Sequence, residues 1–235
     1  MSFTLFGDRR SGNCQKVIIH AGYLDLNFDF VEMDFLADDA HRTDSRALNP
    51  AAQVPVVRFA NGRVLAQSNA IITYLAADGP LVPCDAFDHA AMLQWMFWEQ
   101  YSHEPAIAVC RFLMVYKGGA AGERVPGLVT GGDAVPDQME RHLSAHPWFD
   151  ETEPSLADLA LLPYNRLAPE GGFDLGPRPA VRTWISRAET AFSVALEAQP
   201  LQAVSAKAGR ALQRADNSAN AWYLPPVTRS WHKGR

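Results

Sequence analysis

Cysteine is scarce in this 235-residue chain: Cys14, Cys84 and Cys110 are widely spaced and never form Cys-x-x-Cys. An odd, scattered set excludes a disulfide framework and a cysteine-built zinc site, so reduced thiols are expected. His142 and His146 stand four apart, but no third ligand is arranged beside them, and no metal is expected. Long apolar runs are also lacking; none approaches the roughly 18 to 20 residues of a membrane helix, which excludes a membrane partner of that kind. The first ten residues show no basic stretch leading into an apolar one, so a cytoplasmic location is the expectation. Positive charge is not in surplus: 21 Lys and Arg against 26 Asp and Glu leave −5, the wrong sign for a nucleic-acid binder. With 48% apolar and 20% charged residues, the chain has the makings of one or two soluble folded domains whose partners are small molecules.

The order of elements narrows the fold. Phe3 to Phe6 is a short apolar run ending at Gly7, and Val17, Ile18 and Ala21 then recur at helical spacing up to Gly22. Phe28 to Met33 predicts a second strand, and Asp38 to Arg46 a second, less regular helix. Val54 to Phe59 and Val64 to Ala66 are β-rich runs joined across Asn61-Gly62, a pair suited to a hairpin turn. Ser68 is expected to cap a helix over 69–77, closed by Gly79 and Pro80. The resulting β-α-β-α-β-β-α order is that of a thioredoxin-like α/β domain, placed at residues 1–80.

After residue 85 strands disappear, and residues 85–200 read as an all-α helical bundle. Apolar spacing predicts a long helix from His89 to Tyr116, kinked or broken at Pro105. Gly118 to Val135 is rich in Gly and Pro and reads as a loop, with helix resuming at Glu140. Ser155 and Asp158 make a near-capping box before Leu159, Leu161 and Leu162, and one more amphipathic helix runs over 179–196. Residues 201–235 form a basic tail: from Ser205 onward six Lys or Arg accompany the single acid Asp216.

Three signals carry chemistry. In dithiol oxidoreductases, Cys-x-x-Cys stands where the first strand meets the first helix; here that place reads Ser11-Gly12-Asn13-Cys14. A hydroxyl replaces the nucleophilic sulfur, so the reacting thiol has to come from a ligand, while Cys14 fits a small buried hydrophobe. Val54-Pro55-Val56 sets a proline in a β-run, tolerated at an edge or as a cis turn residue, and leaves Val54 a backbone edge for a peptide ligand. Gln67-Ser68 opens a helix whose N–H groups and hydroxyl suit a carboxylate. A second substrate is expected along the long helix, beside Tyr101, His103 and Arg111.

Through Ser11-Gly12-Asn13-Cys14-Gln15-Lys16-Val17, Asn49-Pro50-Ala51-Ala52-Gln53-Val54-Pro55 and Gln67-Ser68-Asn69-Ala70-Ile71, the chain resembles the glutathione transferase family, bacterial and theta- or nu-like, over roughly residues 1 to 200. The resemblance implies glutathione as cosubstrate, a homodimer, and transfer of the thiol to a small hydrophobic electrophile in detoxification. It implies Ser11 as thiol-activating serine, with Asn13 in the place of an assisting or dominant asparagine. Val54 before a cis Pro55 would pair with the cysteinyl backbone, Ser68 and Gln67 would hold the γ-glutamyl carboxylate, and Gln53 would face the glycyl carboxylate. Glutathione-dependent peroxide or disulfide reduction, and a non-catalytic binding or assembly module, are the alternatives of the same fold.

Overall fold

Strand β1 (Phe3–Gly7) runs at the centre of a four-stranded sheet ordered β2-β1-β3-β4, with β2 (Phe28–Glu32) parallel to it and β3 (Val56–Phe59) antiparallel. These relations come from a computed structural model that describes residues 2–33, 46–77, 79–117 and 125–194. Strand β4 (Val64–Ala66) pairs antiparallel with β3, Val56 opposite Ala66, across a turn in which Gly62 takes φ of 81°. Helix α1 (Gly12–Tyr23) links β1 to β2 as a parallel crossover requires, and packs with α2 (Ser68–Ala76). This is the thioredoxin-like sheet expected from the element order. Most of the second expected helix, and the basic tail over 201–235, lie outside the described residues.

The helical half begins at α3 (Ala86–Trp98), capped by the Asp85 carboxylate, which accepts from the N–H groups of Phe87 and Asp88. The helix does not break at Pro105. It continues as a π-helical stretch Glu99–Ala108, then α4 (Val109–Phe112) and a second π stretch Leu113–Lys117. Proline has no N–H and crowds the carbonyl four residues back, and the wider π turn absorbs both demands without ending the helix.

From 125 to 135 the chain departs from the expected loop. Residues 118–124 are outside the described set, but α5 (Val125–Gly132) and α6 (Ala134–Leu143) are helical. Pro126 and Pro136 fall in the opening turns of these helices, where a missing N–H is harmless. Gly132 meets a packing need, because a Cβ there would lie 3.2 Å from Ala106 and 3.1 Å from the Phe173 ring. Helix α7 (Leu156–Arg166) is the buried axis of this half, and α8 (Pro179–Ala191) packs Val181, Trp184 and Ala188 into the core. The box at its start is complete: the Asp158 carboxylate accepts from the N–H of Ser155, while the Ser155 hydroxyl accepts from the N–H of Ala157. Among the described residues, no helix is long and apolar enough to cross a membrane.

Candidate functional site

The turn between β1 and α1 is built around Asp8, a buried carboxylate. It accepts from the Arg10 N–H at 2.7 Å and from the Arg10 guanidinium at 3.1 and 2.7 Å, while the Asp8 carbonyl accepts from the Ser11 N–H at 3.0 Å. Ser11 takes the N-cap position of α1 with extended backbone, and its hydroxyl makes no cap hydrogen bond. Cys14 is wholly buried, and burial pushes its pKa up to about 12. A thiol in that state carries essentially no thiolate at neutral pH and serves as packing.

Asn13, in the first turn of α1, is held at both ends of its amide. Its Nδ2 donates to Glu104 Oε1 at 2.9 Å, and its Oδ1 accepts from the Ser68 hydroxyl at 3.0 Å. Ser68 is buried and stands one residue inside α2, not at its cap as expected. The N-cap position belongs to Gln67, whose φ of 72° turns the chain into the helix and whose exposed side chain makes no cap hydrogen bond. The opening N–H groups of α2 are therefore free of a side-chain cap, with the positive end of the helix dipole behind them. The Val54–Pro55 peptide is cis. The preceding loop is tied by Asn49, which donates from Nδ2 to the Gln53 carbonyl at 2.9 Å and accepts the Ala51 N–H at 3.1 Å. Gln53 is exposed and Val54 half-buried, one residue clear of the strand pairing that begins at Val56.

On the long helix the three expected residues separate. Tyr101 is 86% exposed. Arg111 is buried, donating to Glu170 Oε2 and to the Arg10 carbonyl, each at 2.8 Å, and so reaches the turn before Ser11. His103 lies fully in the core: Asn165 donates to its Nε2 at 3.0 Å, and burial pushes its pKa down to about 4. The expectation of His103 beside an open cleft is corrected accordingly, because it continues the buried stripe of Met92, Met96, Glu99 and Ile107.

Residues 5–83 match the family model of the glutathione S-transferase N-terminal domain. A solved glutathione S-transferase from Pseudomonas fluorescens is 37% identical, the likeness covering 80% of this chain and 94% of that one with a TM-score of 0.76. The chain belongs to the glutathione S-transferase family. A solved glutathione S-transferase from Xanthobacter autotrophicus is also 37% identical, over 80% of this chain and 92% of that one, with a TM-score of 0.74. A glutathione S-transferase of Escherichia coli is 26% identical over 77% of this chain and 90% of its own length.

This glutathione S-transferase family member carries, around the turn between β1 and α1, polar residues that the sequence does not single out. Lys16, three residues past Asn13, donates to Glu99 Oε1 at 2.8 Å, and both side chains are fully buried. Burial alone would push the Glu99 carboxyl up, but the Lys16 ammonium, helped by the Gln100 amide, holds it below the usual carboxylate range. Asn69 donates to Glu99 Oε2 at 3.0 Å, and Gln100 bridges Glu99 and Glu104 at 2.8 and 2.7 Å. The Tyr164 ring, on α7, abuts the first turn of α1; a Cβ on Gly12 would come within 2.6 Å of it. Only glycine admits that approach.

Proposed function

We propose that the chain binds glutathione against the sheet-bearing half, ionises its thiol at Ser11 and Asn13, and directs the intact thiolate onto a small hydrophobic electrophile, the new carbon–sulfur bond replacing the bond to the electrophile's leaving group. The observation that carries this reading is the activation turn. Its only thiol, Cys14, is buried with its pKa near 12, so the sulfur that reacts there is a ligand's. The backbone of Val54 offers the antiparallel edge for the cysteinyl unit, and the opening N–H groups of α2 receive the γ-glutamyl carboxylate, with Gln67 beside them. Ser68 contributes its backbone N–H, since its hydroxyl proton is given to Asn13. Gln53 faces the glycyl end. The electrophile lies on the side of the long helix marked by the exposed Tyr101, with the buried Arg111 tying that helix to the turn before Ser11, and a second copy of the chain closes the cleft as homodimer.

The energy needed is modest. A thiol of pKa ~8.5 is a few per cent ionised at neutral pH, and lowering it by about two units takes about 2.7 kcal/mol. One hydrogen bond to a charged group supplies ~1.5 to 3 kcal/mol, so a hydroxyl or an amide aided by the α1 dipole suffices without a general base. Ser11→Ala and Asn13→Ala are each expected to raise the pKa of bound glutathione by about one to two units, the worth of the lost bond, and Cys14→Ala is expected to leave it unchanged. Ultraviolet titration of the bound thiolate checks this, alongside turnover of an aryl halide, a peroxide and a mixed disulfide. Activity lost in Cys14→Ala but kept in the other two would make Cys14 the nucleophile and overturn the reading.

A further inference from the structure

Six side chains from both halves close a hydrogen-bonded circuit around the activation turn: Lys16, Ser68, Asn13, Glu104, Gln100 and Glu99. Its members come from α1, from α2 and from the π-helical stretch. The direction of its hydrogen bonds is fixed by chemistry. Lys16 has donors only, and its Nζ lies 3.5 Å from the Ser68 oxygen, so that oxygen accepts and the Ser68 proton is free to go on to Asn13 Oδ1. At the far end the Glu104 carboxylate has acceptors only; Oε1 takes the Asn13 amide and Oε2 takes Gln100. The acceptor-only Glu104 is what leaves the Asn13 amide a single orientation, nitrogen toward the carboxylate and oxygen toward the Ser68 hydroxyl.

We infer that Glu104 is a positioning residue for Asn13: it holds the amide nitrogen in place and leaves the second Nδ2 proton as the donor to the bound thiolate. The inference rests on the reading of the site given above. An amide nitrogen carries two protons, and Glu104 takes one. Without Glu104 the amide loses the partner that distinguishes nitrogen from oxygen. The Ser68 oxygen has two lone pairs and can accept an Nδ2 proton beside the Lys16 one, so a turned amide becomes possible and would present a carbonyl lone pair to the sulfur anion. The helical half thereby sets the thiol chemistry of the sheet-bearing half without touching glutathione.

A direct electrostatic role for Glu104 predicts the opposite sign. A carboxylate near a thiolate raises its pKa, so deleting the charge alone would lower it. Glu104→Ala is therefore expected to raise the pKa of bound glutathione by about one unit, a tenfold loss of acidity. Adding Asn13→Ala to it should change nothing more, because both substitutions abolish the same donor. The glutathione-free protein gives a second readout: one Asn13 side-chain amide proton is expected shifted downfield and slow to exchange by NMR, and lost to that state in Glu104→Ala. The dispersion of the same spectrum reports that the variant is folded. An Asn13 amide signal unmoved in Glu104→Ala overturns the inference. So does a bound-thiol pKa that falls or stays level in that variant while wild type remains depressed. A wild-type bound thiol no more acidic than free glutathione sinks the reading of the site itself, and is distinguishable because it needs no variant.

Discussion

Lys16→Met is expected to destabilise the folded protein by about 3–5 kcal/mol, because it leaves the Glu99 carboxylate fully buried without its counter-cation. The donors that remain, Asn69 and Gln100, are neutral. Glu99→Met should do comparable harm by stranding the ammonium. The double variant should recover most of the loss, since two apolar side chains of similar volume escape the desolvation that the ion pair only offsets. Urea denaturation of the four proteins at neutral pH measures the cycle, and a single variant that costs less than about 1 kcal/mol would place Lys16 and Glu99 among ordinary surface pairs. The same pair has a pH signature. Glu99 is depressed, so its contribution is complete above the ordinary glutamate range and is lost as pH falls through its folded-state value. His20 and His103 act in the same direction over a higher window: both are held neutral at about 4, so stability drains away between pH 6.5 and about 4 as the unfolded chain binds protons first.

Asp158→Ala is the second large effect. This fully buried carboxylate accepts from the N–H of Phe149, the N–H and hydroxyl of Ser155, and the Trp184 indole at 2.8 Å. Burial pushes its pKa up to about 6 against those donors. Alanine would strand several buried donors at about 1–3 kcal/mol each, so a loss of about 4 kcal/mol or more is expected. At this size that is a fall of about 10 °C in Tm, readable by circular dichroism. A fall of only one or two degrees would mean that water or a shifted backbone replaces the carboxylate.

Much of this arrangement is legible before any coordinates. The β-rich runs, Asn61-Gly62 and the Ser155 to Asp158 box are local signals with local causes; they mark β4 and α7 where they stand and β3 from two residues too early. Pro55 is legible as a special residue, though the choice between edge and cis turn is not made by local chemistry. The misreadings also have physical causes. Pro105 reads as a kink or a break because the α-helix cannot house it, and no local pattern announces a π turn. Pro126, Gly127, Gly131 and Gly132 read as loop because the need for a small residue against Ala106 and Phe173 is a tertiary fact. Ser68 reads as a cap because serines cap helices, whereas its partner, Asn13, lies 55 residues away.

The polar circuit did leave a trace. On the long helix, Met92, Met96, Glu99, His103 and Ile107 follow one buried stripe, so an acid and an imidazole interrupt an otherwise apolar face. On α1, Lys16 stands beside Cys14 and Val17, which are buried. Opposite charges on the buried faces of two helices in different halves imply that the faces meet. What sequence does not carry is the pairing: nothing local distinguishes Glu99 as the partner of Lys16 from Glu104 as the partner of Asn13. That assignment needs the docking of α3 and its π-helical extension onto α1 and α2.

The most direct test of the account is a calorimetric titration of the wild-type protein with glutathione, set beside the same titration with the γ-glutamyl carboxylate amidated. Saturable binding at one site per chain is expected for glutathione, weakened by about tenfold or more when the carboxylate that meets the α2 N–H groups is neutralised. No saturable heat with glutathione, or equal affinity for the two ligands, would contradict it.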